Sequence, residues 1–399
     1  MDSQHLPQTS DEWSNLIPEN VKGKTIHDAD LASASKFAMD QFLLLRVLWK
    51  QYEDPRRIHD VLDMKGWVER ASAMLNRYQS WSTYCDSFES ERNIPEGTFA
   101  IARHYQLEVA KTENKVDPLA FYTPIARRTR NSYAQRGRND LHLVTPIKVK
   151  VNFPDLSIRP KRMEANFDDI EDDEDEEDSK NDGDDPLTPF KPTSPMPQEL
   201  ANILYPPTKD EQIVNTALVV FLNALTIYFP LSMHWTLHRK SFTAAFENAE
   251  FQARTDGYLG DSQGNPSVLI EVKPVRRSRK LQVIQMQESA QMVAWIKCDD
   301  EKAQKAHKMR LHISQDRHEV FVTVAKYDKK YLEYLNNPRP SSDEDEDGDE
   351  NKENLSFLTM HQFGPWNTLD RSHIRELGPI LLAITLKADA DSKAGWLDR

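Results

Sequence analysis

Three ionisable residues stand close to a predicted β-hairpin in the second half of the chain: Asp256, Glu271 and Lys273. Residues 251–259 have the composition of a strand, and a turn-forming run of glycine, aspartate, asparagine and proline follows them. The apolar run 268–272 is typical of a buried strand, yet it contains Glu271 and leads directly into Lys273. Charged groups are costly to bury unless they are paired or bind a metal, so this pattern predicts a polar site.

The two carboxylates, Asp256 and Glu271, should face each other across the hairpin. Paired carboxylate oxygens suit a hard cation such as Mg²⁺, which keeps several waters that a phosphate-bearing substrate can displace. A lysine beside that ion, Lys273, would hold the attacking water and offset the charge that develops on the phosphate. The competing interpretation is an ordinary edge-strand ion pair between Glu271 and Lys273, with Asp256 as a turn residue.

The order Asp256, then Glu271-Val272-Lys273, resembles the D…ExK signature of the PD-(D/E)XK nuclease superfamily, which has the restriction-endonuclease-like fold. The surrounding segments RTDGYL, VLIEVKP and QMQESAQMVAWI are most similar to a nuclease-like family that is widespread in fungal proteins. Other acidic-x-Lys triplets occur in the chain, but none of them closes a buried strand. The resemblance implies that Asp256, Glu271 and Lys273 are catalytic, that Asp256 and Glu271 bind the metal, and that the cofactor is Mg²⁺, with Mn²⁺ as the alternative.

The elements on either side of the hairpin must position these groups. In the resembled superfamily an acidic residue on the first core helix often completes the metal site, and Glu211 matches it here, although helix capping explains Glu211 almost equally well. A helix predicted over 281–297 puts Gln287, Gln291 and Trp295 on one face. The resemblance implies that the glutamines touch the substrate or the lysine, with Trp295 in the place of a tyrosine of RecB-type members. A solvated polar face is the alternative.

Basic residues directly after the hairpin are suited to hold a phosphate backbone: Arg276, Arg277, Arg279 and Lys280. The whole chain nevertheless has a formal net charge of -13. Two tracts account for this, because 168–185 has 13 acidic residues against one lysine and 343–353 has 8 against one lysine. The rest of the chain carries a net charge of +6, so the overall acidity does not exclude a nucleic-acid partner.

Composition divides the chain into four regions. Residues 1–26 are predicted to be a disordered tail, and 27–117 a helical region of about four helices. Residues 118–203 are predicted to be a linker that is first basic, then acidic and proline-rich. The basic part favours a nuclear-import signal or a phosphate-binding arm, with a solvated linker as the alternative. Residues 204–399 form the predicted PD-(D/E)XK nuclease-like domain, with an acidic insertion at 338–354.

Further elements are predicted from periodicity: an amphipathic helix over 37–48 and an apolar helix from 213 to 225. One or two short strands are predicted over 233–237 and 239–246, strands at 319–325 and 355–360, and helices at 329–335 and 377–386. In the second half, the order helix, strands with Asp256 and Glu271, helix, strand matches the αβββαβ core of the resembled fold. We therefore expect an α/β protein with a restriction-endonuclease-like αβββαβ core and a mixed central sheet. An α-helical N-terminal region should precede this core, and disordered acidic tracts should interrupt the chain.

Composition also narrows the classes of protein. Only Cys85 and Cys298 occur, which predicts neither a disulfide framework nor a cysteine-based zinc site. The chain has 12 glycines and no glycine-rich phosphate loop, so nucleotide-binding folds are disfavoured. No apolar signal core and no membrane span are predicted. We expect an intracellular, nuclear protein whose partner is nucleic acid, with DNA as the first expectation.

Two classes of function follow from these observations. The first is a metal-dependent nuclease that hydrolyses phosphodiester bonds, in DNA by expectation, with a metal-activated water. The second is a catalytically inactive, nuclease-derived protein that binds nucleic acid or acts as a regulator or scaffold. The presence of Asp256, Glu271 and Lys273 together favours the first class.

Overall fold

Segments rich in β-branched and aromatic residues form a central sheet of seven strands. The computed structural model describes residues 5–89, 93–110, 210–300, 303–304, 309–338 and 355–397. In these residues the strands are β1 Val47–Tyr52, β2 His234–Thr236, β3 Ser241–Ala245, β4 Glu250–Arg254, β5 Gly257–Gly260, β6 Pro266–Lys273, β7 Met309–Asp316, β8 Glu319–Lys326 and β9 Leu358–Asn367.

The central sheet has the strand order β1-β9-β8-β7-β6-β5-β2, and β3 and β4 pair separately as a two-stranded sheet. Two neighbouring pairs, β1 with β9 and β6 with β7, are parallel. The other neighbours are antiparallel. The predicted α/β class with a mixed central sheet is therefore confirmed.

Helices cover both faces of the central sheet. In the described residues they are α1 Ser10–Leu16, α2 Met39–Leu44, α3 Ile58–Leu62, α4 Lys65–Leu75, α5 Gln79–Asp86, α6 Thr98–Ala110, α7 Glu211–Thr226, α8 Leu281–Cys298, α9 Lys329–Asn336 and α10 Arg371–Leu397. The first apolar core contains residues of α3 to α7 and α10, and the second contains residues of α2, α8, α9 and the β3–β4 pair. Strand β6 lies between them, with Val268, Ile270 and Val272 in the first core and Leu269 in the second.

The predicted hairpin and the helix after it are confirmed. Strands β5 and β6 pair antiparallel, and α8 then connects β6 to the parallel strand β7. A parallel pair needs such a crossover, because a tight turn joins only antiparallel neighbours. The predicted 251–259 strand is wrong as a single element: β4 pairs with β3, β5 pairs with β6, and Thr255 and Asp256 lie between them.

The N-terminal predictions need correction. Residues 5–26, predicted as part of a disordered tail, contain α1, and Leu6 and Trp13 are buried. The indole N–H of Trp13 donates to the carbonyl oxygen of Leu43 at 3.0 Å. Buried Val21 and Ile26 also hold this segment, and the four apolar residues are spaced without a helix or strand period that a sequence reading can detect.

The region 27–117 is not a separate helical region in the residues described. Only α2 forms within the helix predicted over 37–48. Arg46 has a left-handed φ of 49°, which is incompatible with a continuing helix, and β1 begins at Val47. Strand β1 forms one edge of the central sheet, and α4 packs on α10 in the same core as the second half of the chain.

The second half also differs from prediction in detail. Strand β7 was not predicted, because His312, Ser314 and Asp316 make it look polar although all three are buried. Strand β9 runs to Asn367, well beyond the predicted end of its strand, and α10 extends the predicted 377–386 helix in both directions. The other helices and strands predicted there are confirmed to within a few residues.

Two of the predicted regions lie outside the described residues: the linker over 118–203, and the acidic insertion over 338–354 apart from its first residue. Among the helices that are described, none combines the length and the apolar character that crossing a membrane requires.

A pair of helical glycines tests the packing of α10. A methyl group added at Gly378 would lie 2.8 Å from ring carbon Cζ2 of Trp81, whereas one added at Gly66 in α4 would meet nothing within 4 Å. We expect Gly378→Ala to lower the free energy of unfolding by about 1–3 kcal/mol through overpacking, and a residue with a Cβ before Pro379 adds to the strain.

Gly66→Ala should instead raise that free energy by about 0.4–1 kcal/mol, because alanine loses less backbone entropy in a helix. Chemical denaturation of both variants measures the two values. Equal effects of the same sign would contradict the packing described for α10.

Candidate metal centre

Three carboxylates from separate elements meet beside the end of β6. Glu211 is the first residue of α7, Asp256 lies in the bend between β4 and β5, and Glu271 is near the end of β6. The Asp256 N–H donates to the carbonyl oxygen of Ile270 at 3.0 Å, which places Asp256 next to Glu271. One oxygen atom from each carboxylate lies within 4.8 Å of the other two. The predicted facing of Asp256 and Glu271 is confirmed, and the three residues form a cluster that could hold a metal ion.

The chemistry of the donor set fits a hard cation. All three side chains offer oxygen, and no sulfur or nitrogen ligand is part of the cluster. Oxygen-only sites of this kind suit Mg²⁺, Ca²⁺ or Mn²⁺ rather than Zn²⁺ or Cu²⁺. Glu211 is partly exposed, whereas Asp256 and Glu271 are buried, so the cluster has one side open to solvent.

Lys273 links two of the three carboxylates. Its ammonium group forms a short ion pair with Glu271 and a second pair, 3.2 Å long, with Oε1 of Glu211. Burial alone would lower the pKa of Lys273, but the charges of Glu271 and Glu211 raise it above its usual range, so the side chain is a cation. Lys273 is thus held as a cation beside the acidic cluster, as predicted.

The acidic cluster has more negative charge than Lys273 can balance. Burial raises the pKa of Glu271 to about 8, because the attraction of Lys273 is smaller than the burial effect and the Asp256 charge adds repulsion. Burial also raises the pKa of Asp256, against the attraction of Lys273 and with added repulsion from Glu211. Removing a carboxylate from water favours its protonated form. A proton or a metal cation would relieve this excess.

The two glutamines of α8 contact Glu271. Gln291 donates from Nε2 to Oε2 of Glu271 at 2.6 Å and to the carbonyl oxygen of Arg254 at 2.9 Å. Gln287 donates to the other oxygen, Oε1. Gln291 is fully buried, so in this structure it orients the Glu271 carboxylate rather than facing a substrate. Trp295, one helical turn further on, is buried in the second core.

The structure divides the basic residues that follow β6. Arg277 is 2% exposed and pairs with Glu288 and Asp316, so the prediction that it holds a phosphate backbone is wrong. Buried carboxylates on α8 and β7 draw this guanidinium inward. Arg276 is exposed and pairs with Glu319 on β8. Arg279 is partly exposed and Lys280 is exposed, so their predicted contact with a phosphate backbone stays a prediction.

Sequence reasoning missed two residues that touch Asp256. Asn215 donates from Nδ2 to the Asp256 carbonyl oxygen at 2.9 Å, and its buried Oδ1 has no partner in the described residues. Asn215 follows Glu211 by four residues, a spacing that puts both on one helical face and could have revealed it. Arg239 lies on the β2–β3 loop, with Nη2 3.3 Å from Oδ1 of Asp256. No sequence pattern marks Arg239, since only the folded chain brings it to the site.

Comparisons with known proteins add no relatives to this picture. No family model, no curated protein and no solved structure matches the chain. The resemblance to the PD-(D/E)XK superfamily therefore stays a prediction that rests on the residues themselves.

The raised pKa of Glu271 predicts a pH effect on stability. Its folded pKa, about 8, exceeds its unfolded value, so the protonated form stabilises the folded state at low pH. This contribution is lost as the pH rises toward 8, by up to about 1.4 kcal/mol per unit. In a metal chelator, Glu271→Gln should become progressively more stable than the wild type across this range.

Urea unfolding of both proteins between pH 5 and pH 9 checks this difference. Glu69→Gln, at an exposed position on α4, controls for the loss of one negative charge. A stability difference between Glu271→Gln and the wild type that does not change with pH would contradict the burial of an excess negative charge at this site.

The buried ion pairs of Arg277 predict a large structural effect. Arg277→Met leaves Glu288 and Asp316 without their partner in a site that excludes water. We expect the free energy of unfolding to fall by about 3–5 kcal/mol. Arg70→Met, at an exposed position on α4, should stay within about 0.5 kcal/mol of the wild type. Equal stability of Arg277→Met and Arg70→Met would contradict the buried ion pairs described for Arg277.

Proposed function

We propose that the protein is a metal-dependent nuclease that hydrolyses phosphodiester bonds, with DNA as the expected substrate. The observation that carries this proposal is the meeting of Glu211, Asp256 and Glu271 within 4.8 Å, with Lys273 paired to two of them. Burying carboxylates without enough positive charge is costly, and a bound cation removes that cost. An edge-strand ion pair would not explain why Glu211 and Asp256 also point to the same place.

The order of elements around the site supports a restriction-endonuclease-like core. Helix α7 precedes three neighbouring antiparallel strands of the central sheet, β2, β5 and β6, and α8 and the parallel strand β7 follow. This order supports the αβββαβ core that the resemblance implies, with the β3–β4 pair inserted between β2 and β5. The acidic residues lie at the first helix and at the second and third strands, where the resemblance implies them.

The residues present fit Mg²⁺ or Mn²⁺, which Asp256, Glu271 and Glu211 would hold. When bound, such an ion would polarise the phosphate and lower the pKa of a water molecule. Lys273 would hold the attacking water and offset negative charge that develops on the phosphate in the transition state. Gln287 and Gln291 would keep both oxygens of Glu271 in place through their amide hydrogens. A carboxylate fixed in this way needs no rearrangement during the reaction.

Surface charge supports a polyanionic substrate. Arg276, Arg279 and Lys280 lie between β6 and α8, within seven residues of Lys273, and none of them is buried. Contacts from such side chains position a phosphate backbone without reading its sequence. The second class of function, a binding protein without turnover, is disfavoured because it gives no reason for burying Asp256 and Glu271 together.

A cleavage assay tests the proposal. The purified chain is incubated with single-stranded, duplex and branched DNA, and with RNA, in Mg²⁺, in Mn²⁺ or in excess chelator. We expect metal-dependent cleavage of at least one substrate, and Lys273→Ala should lower the turnover number by at least about a hundredfold, the scale of losing one placed electrostatic group. Affinity for the substrate should change little.

Two variants serve as controls in this assay. Lys50→Ala removes an exposed lysine from β1, at the far edge of the sheet, and should cleave like the wild type. Asp256→Asn should be inactive. Cleavage that survives chelation, or that persists at the normal rate in Asp256→Asn, would refute the assignment of this site.

A further inference from the structure

Arg239 is held beside the acidic cluster by the backbone of its own loop. The next residue, Lys240, pairs with Thr255: the Thr255 N–H donates to the Lys240 carbonyl oxygen at 3.0 Å, and the Lys240 N–H donates to Oγ1 of Thr255 at 3.3 Å. Asp256 follows Thr255 directly, so the loop cannot move away from Asp256 without breaking these bonds. The guanidinium of Arg239 then reaches Oδ1 of Asp256 at 3.3 Å, while its side chain is 56% exposed.

The two oxygens of Asp256 have different surroundings. Oδ2 accepts a hydrogen bond from the Val272 N–H at 3.2 Å, which fixes it toward the sheet. Oδ1 faces Arg239. A cation that binds at Asp256 through this freer oxygen would have to compete with the guanidinium for it.

The net charge of the site changes sign when a divalent cation binds, and this change would release Arg239 from Asp256. When fully ionised, Glu211, Asp256 and Glu271 carry three negative charges, which Lys273 and Arg239 reduce to one. A divalent cation would change this to one positive charge, which a single phosphodiester group would neutralise. Lys273 is already held between two carboxylates, whereas the described residues show Arg239 in one partly exposed ion pair, of the kind that costs little to break.

We propose that Arg239 is a substrate-binding residue that leaves Asp256 when a divalent cation binds and then holds the phosphate group to be cleaved. The inference rests on the proposed function and names the group that would face the substrate from the β2–β3 loop. The planar guanidinium offers two parallel N–H donors to two phosphate oxygens, a match that a lysine cannot make. Arg239 would therefore act against metal binding in the free protein and in favour of catalysis in the complex.

These opposite effects separate the proposal from a purely structural role. In Arg239→Gln the free protein should bind Mn²⁺ about fivefold more tightly, because one nearby positive charge is gone. The same variant should lose roughly a hundredfold in single-turnover cleavage at saturating metal, because one donor to the phosphate is missing. Arg239→Lys keeps the charge but not the two parallel donors, so its Mn²⁺ affinity should match the wild type while its cleavage is still reduced.

The experiment uses the full chain and measures both quantities on the same preparations. Calorimetric titration with Mn²⁺ in the absence of DNA gives the dissociation constant, and rapid mixing with DNA gives the single-turnover rate. Arg70→Gln, at an exposed position on α4, is the matched control and should equal the wild type in both measurements.

The outcomes are distinct. Tighter Mn²⁺ binding together with slower cleavage in Arg239→Gln supports the inference. If the wild type binds Mn²⁺ and cleaves DNA while Arg239→Gln is unchanged or weaker in metal affinity, or cleaves normally, this inference fails and the proposed function stands. If the wild-type chain neither binds Mn²⁺ nor cleaves DNA, both the proposed function and this inference fail.

Discussion

The burial of one carboxylate, that of Glu271, constrains most of what surrounds it. At 2% exposure the residue is cut off from water, so the protein itself must supply hydrogen-bond donors to its side chain. Lys273 supplies one from the same strand, and Gln287 and Gln291 supply two from α8. Helix α8 therefore has to lie along this face of the sheet in one rotation. That placement in turn fixes the crossover from β6 to the parallel strand β7.

The contact between α8 and the sheet is polar well beyond this carboxylate. Register places Ser314 and Asp316 of β7 next to Glu271 and Lys273, and Arg277 bonds to Glu288 of α8, to Ser314 and Asp316 of β7 and to Gln362 of β9. Burial lowers the pKa of His312 in this layer to about 4, which keeps its ring neutral. Turning α8 by one residue would leave several of these groups buried without partners, so the network selects one arrangement of helix and sheet.

Sequence reasoning succeeded where the residues that are buried are also apolar. The run before Lys273, the turn before that run and the long helix after it have strong local signals, and Glu271 lies in that run. Asp256 and Glu211 were named from the residues that the resemblance matches, and both join Glu271 in the acidic cluster. It failed where buried residues are polar: β7 was not predicted, and Arg277 was predicted to hold a phosphate backbone although its buried partners lie 11 and 39 residues away. Such pairings depend on the tertiary structure, and no local spacing encodes them. Arg239 reaches the site through the backbone pairing of Lys240 with Thr255, which continues the β3–β4 pair by one residue.

The parallel pairing of β1 with β9 has a consequence for how the chain is made. Val47 pairs with Leu358, so about 310 residues of synthesis separate the two strands. At a synthesis rate of roughly 5–20 residues per second, β9 is made some tens of seconds after β1. During that time its Val47, Leu48 and Trp49 side chains lack the cover that buries them in the finished protein. The early segment of the nascent chain thus exposes apolar side chains until the last strand of the sheet has been made.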